Sequence, residues 1–538
     1  MELINNIKMY GRFLLGLRSY LRHTISLEEA QAIVKRRMTE REGNFLRLVE
    51  KGIFGYPSSP YLPLLKMAGC EMGDIRNMVK SKGLENTLLA LHEAGVYITF
   101  EEFKGRKPII REGKTFYVKD HDFDNPYLHY CYRVESGGTT GAGIRVGTDL
   151  NHLADRAPNL ILAYDANGVL HMPTAIWFGI LPDPSGINTI LTAVRFGNVP
   201  LKWFTPVVSS DLRPSLKYRL ATKYFITLGR MFGLSIPRPE PVRLNQAAII
   251  ARWASDTVKA HGSCFIATSV STAIRISLAS HEEGIDLTGV IFQVGGEALT
   301  ESKQREIQRT GARCFPSYFF SEAGVVGMSC ARPADSNDLH FFKDSMALIQ
   351  YSRQVPGSEA SVDAFCFTTL LPTAPKLMLN VEIDDYGIVE NRSCGCPLEA
   401  YGFTEHLRDI RSFSKLTGEG VTLIGSEMLH ILEDVLPASF GGSALDYQLI
   451  EEEDETGFTR LSLLISPKID INNETAVIKV INESLSLSSP SADFARSIWT
   501  QAGTLRIRRI EPILTARGKL MPLHLIGRSM PDSRNSKE

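Results

Sequence analysis

No stretch of the chain approaches the roughly 18 consecutive apolar residues that a helix needs to cross a bilayer. Even the apolar run 13–17 is flanked by Arg12 and Arg18. A membrane span is therefore not expected, and the sequence reads as a soluble, cytoplasmic protein. An excess of charge of either sign is missing too. The 59 basic and 60 acidic side chains leave a formal charge of -1, without the electrostatic footprint of a nucleic-acid binder. Cysteine is scarce and scattered: eight residues, at 70, 131, 264, 314, 330, 366, 394 and 396, which argues for free thiols and against a disulfide framework. There is no GxxxxGK[ST] phosphate loop, no GxSxG nucleophile elbow, no internal repeat and no long low-complexity tract.

What remains is an ordinary globular composition, 43% hydrophobic and 22% charged, in 538 residues. That length exceeds what one core sustains, so two or three domains are expected. Residues 1–114 carry helical periodicity, including a helix over 84–94, and form a helical N-terminal region. From 115 to 409 short apolar runs alternate with helical stretches: LILAYD at 160–165, WFTPVV at 203–208, CFIATSV at 264–270 and GVIFQVGGE at 289–297. Read as strands between helices, they indicate a large multi-layer α/β domain with ligands at strand ends. Residues 410–538 read as a smaller, mobile α+β domain. It starts with a helix capped by Ser426, with apolar Met428, Ile431, Leu432, Val435 and Leu436, ended by Pro437. A hairpin, with strands near 445–450 and 459–466, a helix near 474–485 and a strand at 505–513 complete it.

The segment VESGGTTGAGIR, 134–145, packs four glycines, one serine and two threonines behind the strand-like YCYRV. Glycines let successive N–H groups turn onto a polyphosphate, and hydroxyls add further donors. The alternative is a plain surface turn. The word SGGTTG resembles the SGTTGxPKG phosphate loop of the adenylate-forming superfamily, the acyl-CoA synthetases and adenylation domains. Ser136, Gly137, Gly138, Thr139, Thr140 and Gly141 correspond to it; Gly143 stands where proline is usual.

Further motifs follow in that superfamily's order. GGEALTESKQREIQRTGARCFPSYFFSEAG, 295–324, resembles its GGE…YGxTE block. The resemblance implies nucleotide contacts by Gly296, Glu297 and Ser321, adenine stacking by Tyr318, and magnesium binding and catalysis by Glu322, with Phe319 replacing the usual glycine. LMLNVEIDDYGIVE, 377–390, resembles the segment whose aspartate holds the ribose; Asp385 is the choice and Asp384 the near alternative. IRSFSKLTGEGVT, 410–422, resembles a nucleotide-contacting segment, with Arg411 in the arginine's place. TARGKLMPL, 515–523, resembles the terminal loop whose lysine serves adenylation, which makes Lys519 the catalytic candidate; by itself it would be a surface lysine. ITFEEFKGRKPI, 98–109, looks like the start of the large domain in the phenylacetate-CoA ligase-like branch, which also includes acyl-protein synthetases.

Between these motifs lie Cys330, His340, Cys394 and Cys396. Three thiolates and an imidazole match a structural Cys3His zinc site, against free buried cysteines and a surface histidine, and the same branch shows a similar arrangement. The resemblance implies an ATP- and magnesium-dependent ligase that activates a carboxylic acid as acyl-AMP and passes it to coenzyme A. A carrier-protein thiol or an amine as acceptor, and a non-catalytic nucleotide-binding relative, are the alternatives; a homodimer is possible. HMPTAIWFG at 171–179 places Trp177 and Phe178 either in a pocket for an aromatic or apolar acid or in the core.

Overall fold

Strands buried on both faces read as continuous apolar runs and pair in parallel, and such runs recur through the middle of this chain. The computed structural model describes residues 16–128, 132–136, 144–181, 183–206, 216–354, 361–412, 415–418, 421–424, 428, 430–453, 458–471, 473–488, 490–513 and 523–525. Two hairpins come first, β1 (Ile109–Arg111) with β2 (Lys114–Phe116) and β3 (Tyr132–Ser136) with β4 (Ile144–Thr148). Next are β5 (Thr174–Trp177), β6 (Lys202–Thr205), β7 (Pro239–Pro241), β8 (Cys264–Ser269) and β9 (Val290–Gly295), which pair in parallel. They are followed by β10 (Arg313–Phe320), β11 (Gly324–Ser329), β12 (Leu339–Phe341), β13 (Met346–Gln354), β14 (Ser361–Thr369), β15 (Val381–Asn391) and β16 (Glu405–Ser412). From β5 to β16 they form one twelve-stranded sheet in the order β13-β14-β15-β16-β12-β11-β10-β9-β8-β5-β6-β7.

This sheet has two halves, and β10 joins them. Arg313 to Pro316 pair in parallel with β9, whereas Ser317 to Phe320 pair antiparallel with β11. Pro316 stands at the change, where a residue without an N–H cannot extend the ladder. The hydroxyl of Ser317 donates instead to the Val294 carbonyl at 3.2 Å. A bulge between Tyr318 and Phe319 then re-aims the strand.

Helices cover both halves. Leu27–Val49, Tyr61–Met67, Met72–Lys82 and Leu84–Glu93 pack apolar faces such as Phe45, Leu64, Ile75 and Leu88 toward Phe341, Phe365 and Phe367. The Tyr61 hydroxyl crosses this core to the Leu377 carbonyl at 3.0 Å. Residues 160–165, expected as a strand, are instead the second half of the helix Leu150–Ala166, capped by Asp149. A short run buried over 160–164 has no periodicity to separate the two states, and the cap lies eleven residues upstream of it. Among the described residues no helix is long and apolar enough to cross a membrane.

After the hairpin β17 (Lys415–Gly418) with β18 (Val421–Ile424) comes a separate four-stranded sheet. It contains β19 (Tyr447–Glu453), β20 (Thr459–Ile465), β21 (Leu505–Arg508) and β22 (Leu523–Leu525), covered by helices Glu474–Ser488 and Pro490–Ala502. Leu432, Leu436, Tyr447, Leu449, Leu463, Val477 and Trp499 form its own core. The α/β class with a smaller α+β unit is as expected. Pro437 does not end its helix: it sits in the first turn of Leu436–Phe440, after π-helical hydrogen bonding over Ile431–Val435. Near a helix start the missing N–H costs nothing, and the chain stays helical until Gly441 at φ 87°. The expected cap Ser426 lies outside the described residues.

His152, on the helix Leu150–Ala166, is buried with neither ring nitrogen hydrogen-bonded. Burial, and then the neighbouring Arg156 charge, push its pKa down to about 3. The unfolded chain takes up a proton near pH 6.5 that the folded chain refuses, so this group's stability contribution is intact above that pH and lost as pH falls toward 3. Denaturant titrations should show His152→Gln flattening the acid limb by up to about 1.4 kcal/mol per pH unit between pH 6 and 4. An unchanged slope would contradict the assignment.

Candidate nucleotide site

The seam strand β10 presents Tyr318, whose hydroxyl donates to Asp385 Oδ2 at 2.7 Å across 67 residues of sequence. Burial, and next the Asp385 carboxylate, raise the tyrosine's pKa well above its ordinary value, so its proton stays on and it is the donor. The other carboxylate oxygen accepts from Ser412 Oγ at 2.5 Å, across the β15–β16 pair that sets Asp385 opposite Ser412. Phe320 and Phe367 pack against the Tyr318 ring at 6.0 and 6.4 Å between centroids. Asp384, fully buried, adopts a left-handed φ of 76°, a conformation costing about 1–2 kcal/mol for a residue with a Cβ. It is Asp385, not Asp384, whose carboxylate meets Tyr318.

Beside this cluster β9 ends in two glycines with different reasons. A Cβ on Gly295 would lie 2.7 Å from the Phe319 ring and 2.8 Å from Ser317 Oγ. Gly296 has φ 79°, where a side chain is strained. Phe319 stands on the β-bulge without a left-handed φ, so the bulky residue needs no glycine conformation; the residue is 42% exposed.

Ser321 is exposed and Glu322 buried. The Glu322 carboxylate accepts from Lys104 Nζ at 2.5 Å, with both side chains under a tenth exposed. Burial pulls its pKa upward most strongly, but Lys104 outweighs it and keeps the carboxyl below its usual range. Glu297 is held elsewhere: its carboxylate accepts from the Ser271 hydroxyl at 2.7 Å and from the Ser271 amide at 3.3 Å, and Lys303 Nζ lies 3.8 Å away. The Ser271 amide is in the first turn of the helix Val270–Glu282, where a carboxylate complements the dipole. Arg411 is exposed on β16, paired with Tyr386 next to Asp385. Ser136 ends β3; residues 137–141 and Lys519 lie outside the described residues. Trp177 belongs to the core beside Ala175 and Phe204, 2% exposed.

A second cluster lies behind β11 and β12. One ligand atom from each of Cys330, His340, Cys394 and Cys396 falls within 4.8 Å of all the others, compatible with a tetrahedral zinc, where sulfurs at 2.3 Å stand roughly 3.8 Å apart. His340 Nδ1 is 2.7 Å from the Phe403 carbonyl, which orients its other nitrogen toward Cys394 Sγ at 3.7 Å. Amides of Ala331, Arg332 and Cys396 donate to the sulfurs of Cys396, Cys330 and Cys394 at 3.3–3.4 Å. The Cys330 thiol, then His340, hold Cys396 below the usual thiol range against the effect of burial. The seven described cysteines are all free thiols.

No protein-family model matches the sequence, and a search of curated proteins returns no match. Solved structures do match. The crystal structure of 2-hydroxyisobutyryl-CoA ligase in complex with 2-HIB-AMP and CoA aligns over 91% of this chain and 90% of its own, with TM-score 0.55 and 14% identity. The chain has the adenylate-forming ligase fold. The same ligase in its postadenylation state aligns over 93% of this chain and 90% of its own, at TM-score 0.46 and 13% identity. An amide bond synthetase from Marinactinospora thermotolerans aligns over 89% and 92%, at 0.40 and 10%.

Within this adenylate-forming fold, sequence motifs alone did not point to Ser412 or Lys104 as partners of the Asp385 and Glu322 carboxylates. Serine opposite the aspartate follows only from strand register, and Lys104 only from where the N-terminal helices dock. Gly296→Ala should destabilise the protein by about 1–2 kcal/mol through its left-handed φ, read as a lowered midpoint in urea. An unchanged midpoint would show that the turn relaxes freely.

Proposed function

We propose that the protein uses ATP to activate a carboxylic acid as acyl-AMP and then transfers the acyl group to the thiol of coenzyme A. The observation that carries this reading is the Tyr318–Asp385 contact. It places an aromatic ring beside a buried, two-oxygen acceptor at the C-terminal edge of a parallel sheet half, the chemistry that a nucleoside needs. In this reading Tyr318 stacks on adenine and Asp385 holds the ribose hydroxyls. Ser136, Gly137, Gly138, Thr139, Thr140 and Gly141 cradle the phosphates, with Gly296, Ser321 and Arg411 around the nucleotide. Glu297, oriented by Ser271 and Lys303, contributes to the same nucleotide-facing turn.

The acid's carboxylate attacks the α-phosphorus and pyrophosphate leaves. Lys519 stabilises the charge that gathers on the phosphoryl oxygens, the effect of a positioned cation on a developing oxyanion. Magnesium, held by Glu322, would supply neutralisation of the polyphosphate. The thiol of coenzyme A then attacks the acyl carbon and AMP departs. The ordered motifs favour the phenylacetate-CoA ligase-like branch, and the Cys330, His340, Cys394, Cys396 set fits a structural zinc.

ATP–pyrophosphate exchange over a panel of aromatic and aliphatic acids tests the first half-reaction. At least one acid should support exchange, and Lys519→Ala should lower it by about a hundredfold or more. No exchange with any acid would overturn the adenylation reading, and undiminished exchange in the variant would remove the lysine from it. Product analysis with coenzyme A, a carrier protein or amines identifies the acceptor. Purified protein should carry one zinc per chain, and Cys394→Ser should lower that content; unchanged content would dismiss the site.

A further inference from the structure

Lys104 follows the short helix Phe100–Phe103 as its C-cap. It reaches a carboxylate 218 residues further along the chain. Its ammonium lies 5.5 Å from the centroids of both Phe100 and Phe103. A second buried lysine, Lys376, contributes to the field on Glu322; its own amino group is held by Asp124 at 2.8 Å and by the Asp120 carbonyl at 2.6 Å. Burying a carboxylate is costly unless it is paired and hydrogen-bonded, and Lys104 Nζ supplies both at 2.5 Å.

We propose that Lys104 and a divalent cation bind the Glu322 carboxylate in exchange for one another. This rests on the reading of Glu322 as the magnesium carboxylate. A metal bound to the same oxygen at about 2.1 Å would stand under about 5 Å from the ammonium. In a site shielded from water, two cations that close repel strongly. Lys104 has the means to leave: its charge sits at the end of a flexible four-carbon stem, and it flanks a helix rather than lying within one. Glu322 is thereby charged and oriented before any metal arrives. The metal's apparent affinity is lowered by the work of displacing the lysine.

Mn2+ titrated into the full-length protein without nucleotide, with free Mn2+ followed by electron paramagnetic resonance, tests the exchange. Lys104→Met should bind one Mn2+ about tenfold or more tightly than the unmodified protein, and the gain should vanish in Lys104→Met/Glu322→Gln. Lys104→Gln, which keeps a hydrogen-bond donor without the charge, makes the same comparison if Lys104→Met does not fold. Loss of Mn2+ binding in Glu322→Gln with no gain in either lysine variant would overturn the exchange and leave Glu322 as the metal carboxylate. A tight site that persists in the double variant would remove Glu322 from metal binding and overturn both readings. No Mn2+ binding by either lysine variant would also overturn the exchange.

Discussion

A proline in a central strand is the constraint on which this site depends. Pro316 cannot donate to the ladder, and from that residue β10 changes from a parallel to an antiparallel neighbour. β10 is the seam of the sheet, with a bulge between Tyr318 and Phe319 just past the residue that meets Asp385. It lies between β9 and β11, with its first half paired on one edge and its second half on the other. The two glycines at the end of β9 serve the same geometry, one yielding space to Phe319 and one supplying a left-handed turn.

Three carboxylates around the seam are held by different kinds of partner. Asp385 accepts from two hydroxyls, those of Tyr318 and Ser412. Glu322 has Lys104. Glu297 has a serine hydroxyl, a helix N-terminal amide and Lys303. Hydroxyl donors on a carboxylate can be traded for other hydroxyls at little electrostatic cost, which is what the proposed ribose contact would ask of Asp385. The ion pair on Glu322 is a different device, because only another cation can replace the ammonium there.

The α/β class and the strands at 203–205, 264–269 and 290–295 were legible because short β-branched and aromatic runs between helical stretches have few other solutions. Residues 160–165 were not, since a helical run buried over 160–164 shows no period. Pro437 misled for a related reason: proline stops a helix only where its missing N–H is needed. At the site, the structure brings together Tyr318 with Asp385 and Cys330 with His340, Cys394 and Cys396, residues separated in the sequence and singled out there from motif order and residue type. The partners Ser412 and Lys104 were not. Ser412 acquires its role from strand register and Lys104 from tertiary docking, neither of which leaves a local signal. Trp177 illustrates the converse, an aromatic suggestive of a pocket that the fold places in the core.

The account stands or falls on whether Asp385 binds the ribose of a nucleotide beside Tyr318. Calorimetric titration with ATP and with 2′,3′-dideoxy-ATP, on the unmodified protein and on Asp385→Ala, addresses this directly. The account predicts that the unmodified protein prefers ATP by about tenfold or more, and that Asp385→Ala loses most of that preference while remaining folded. Equal affinities for the two nucleotides in the unmodified protein, or a preference untouched by Asp385→Ala, would contradict it.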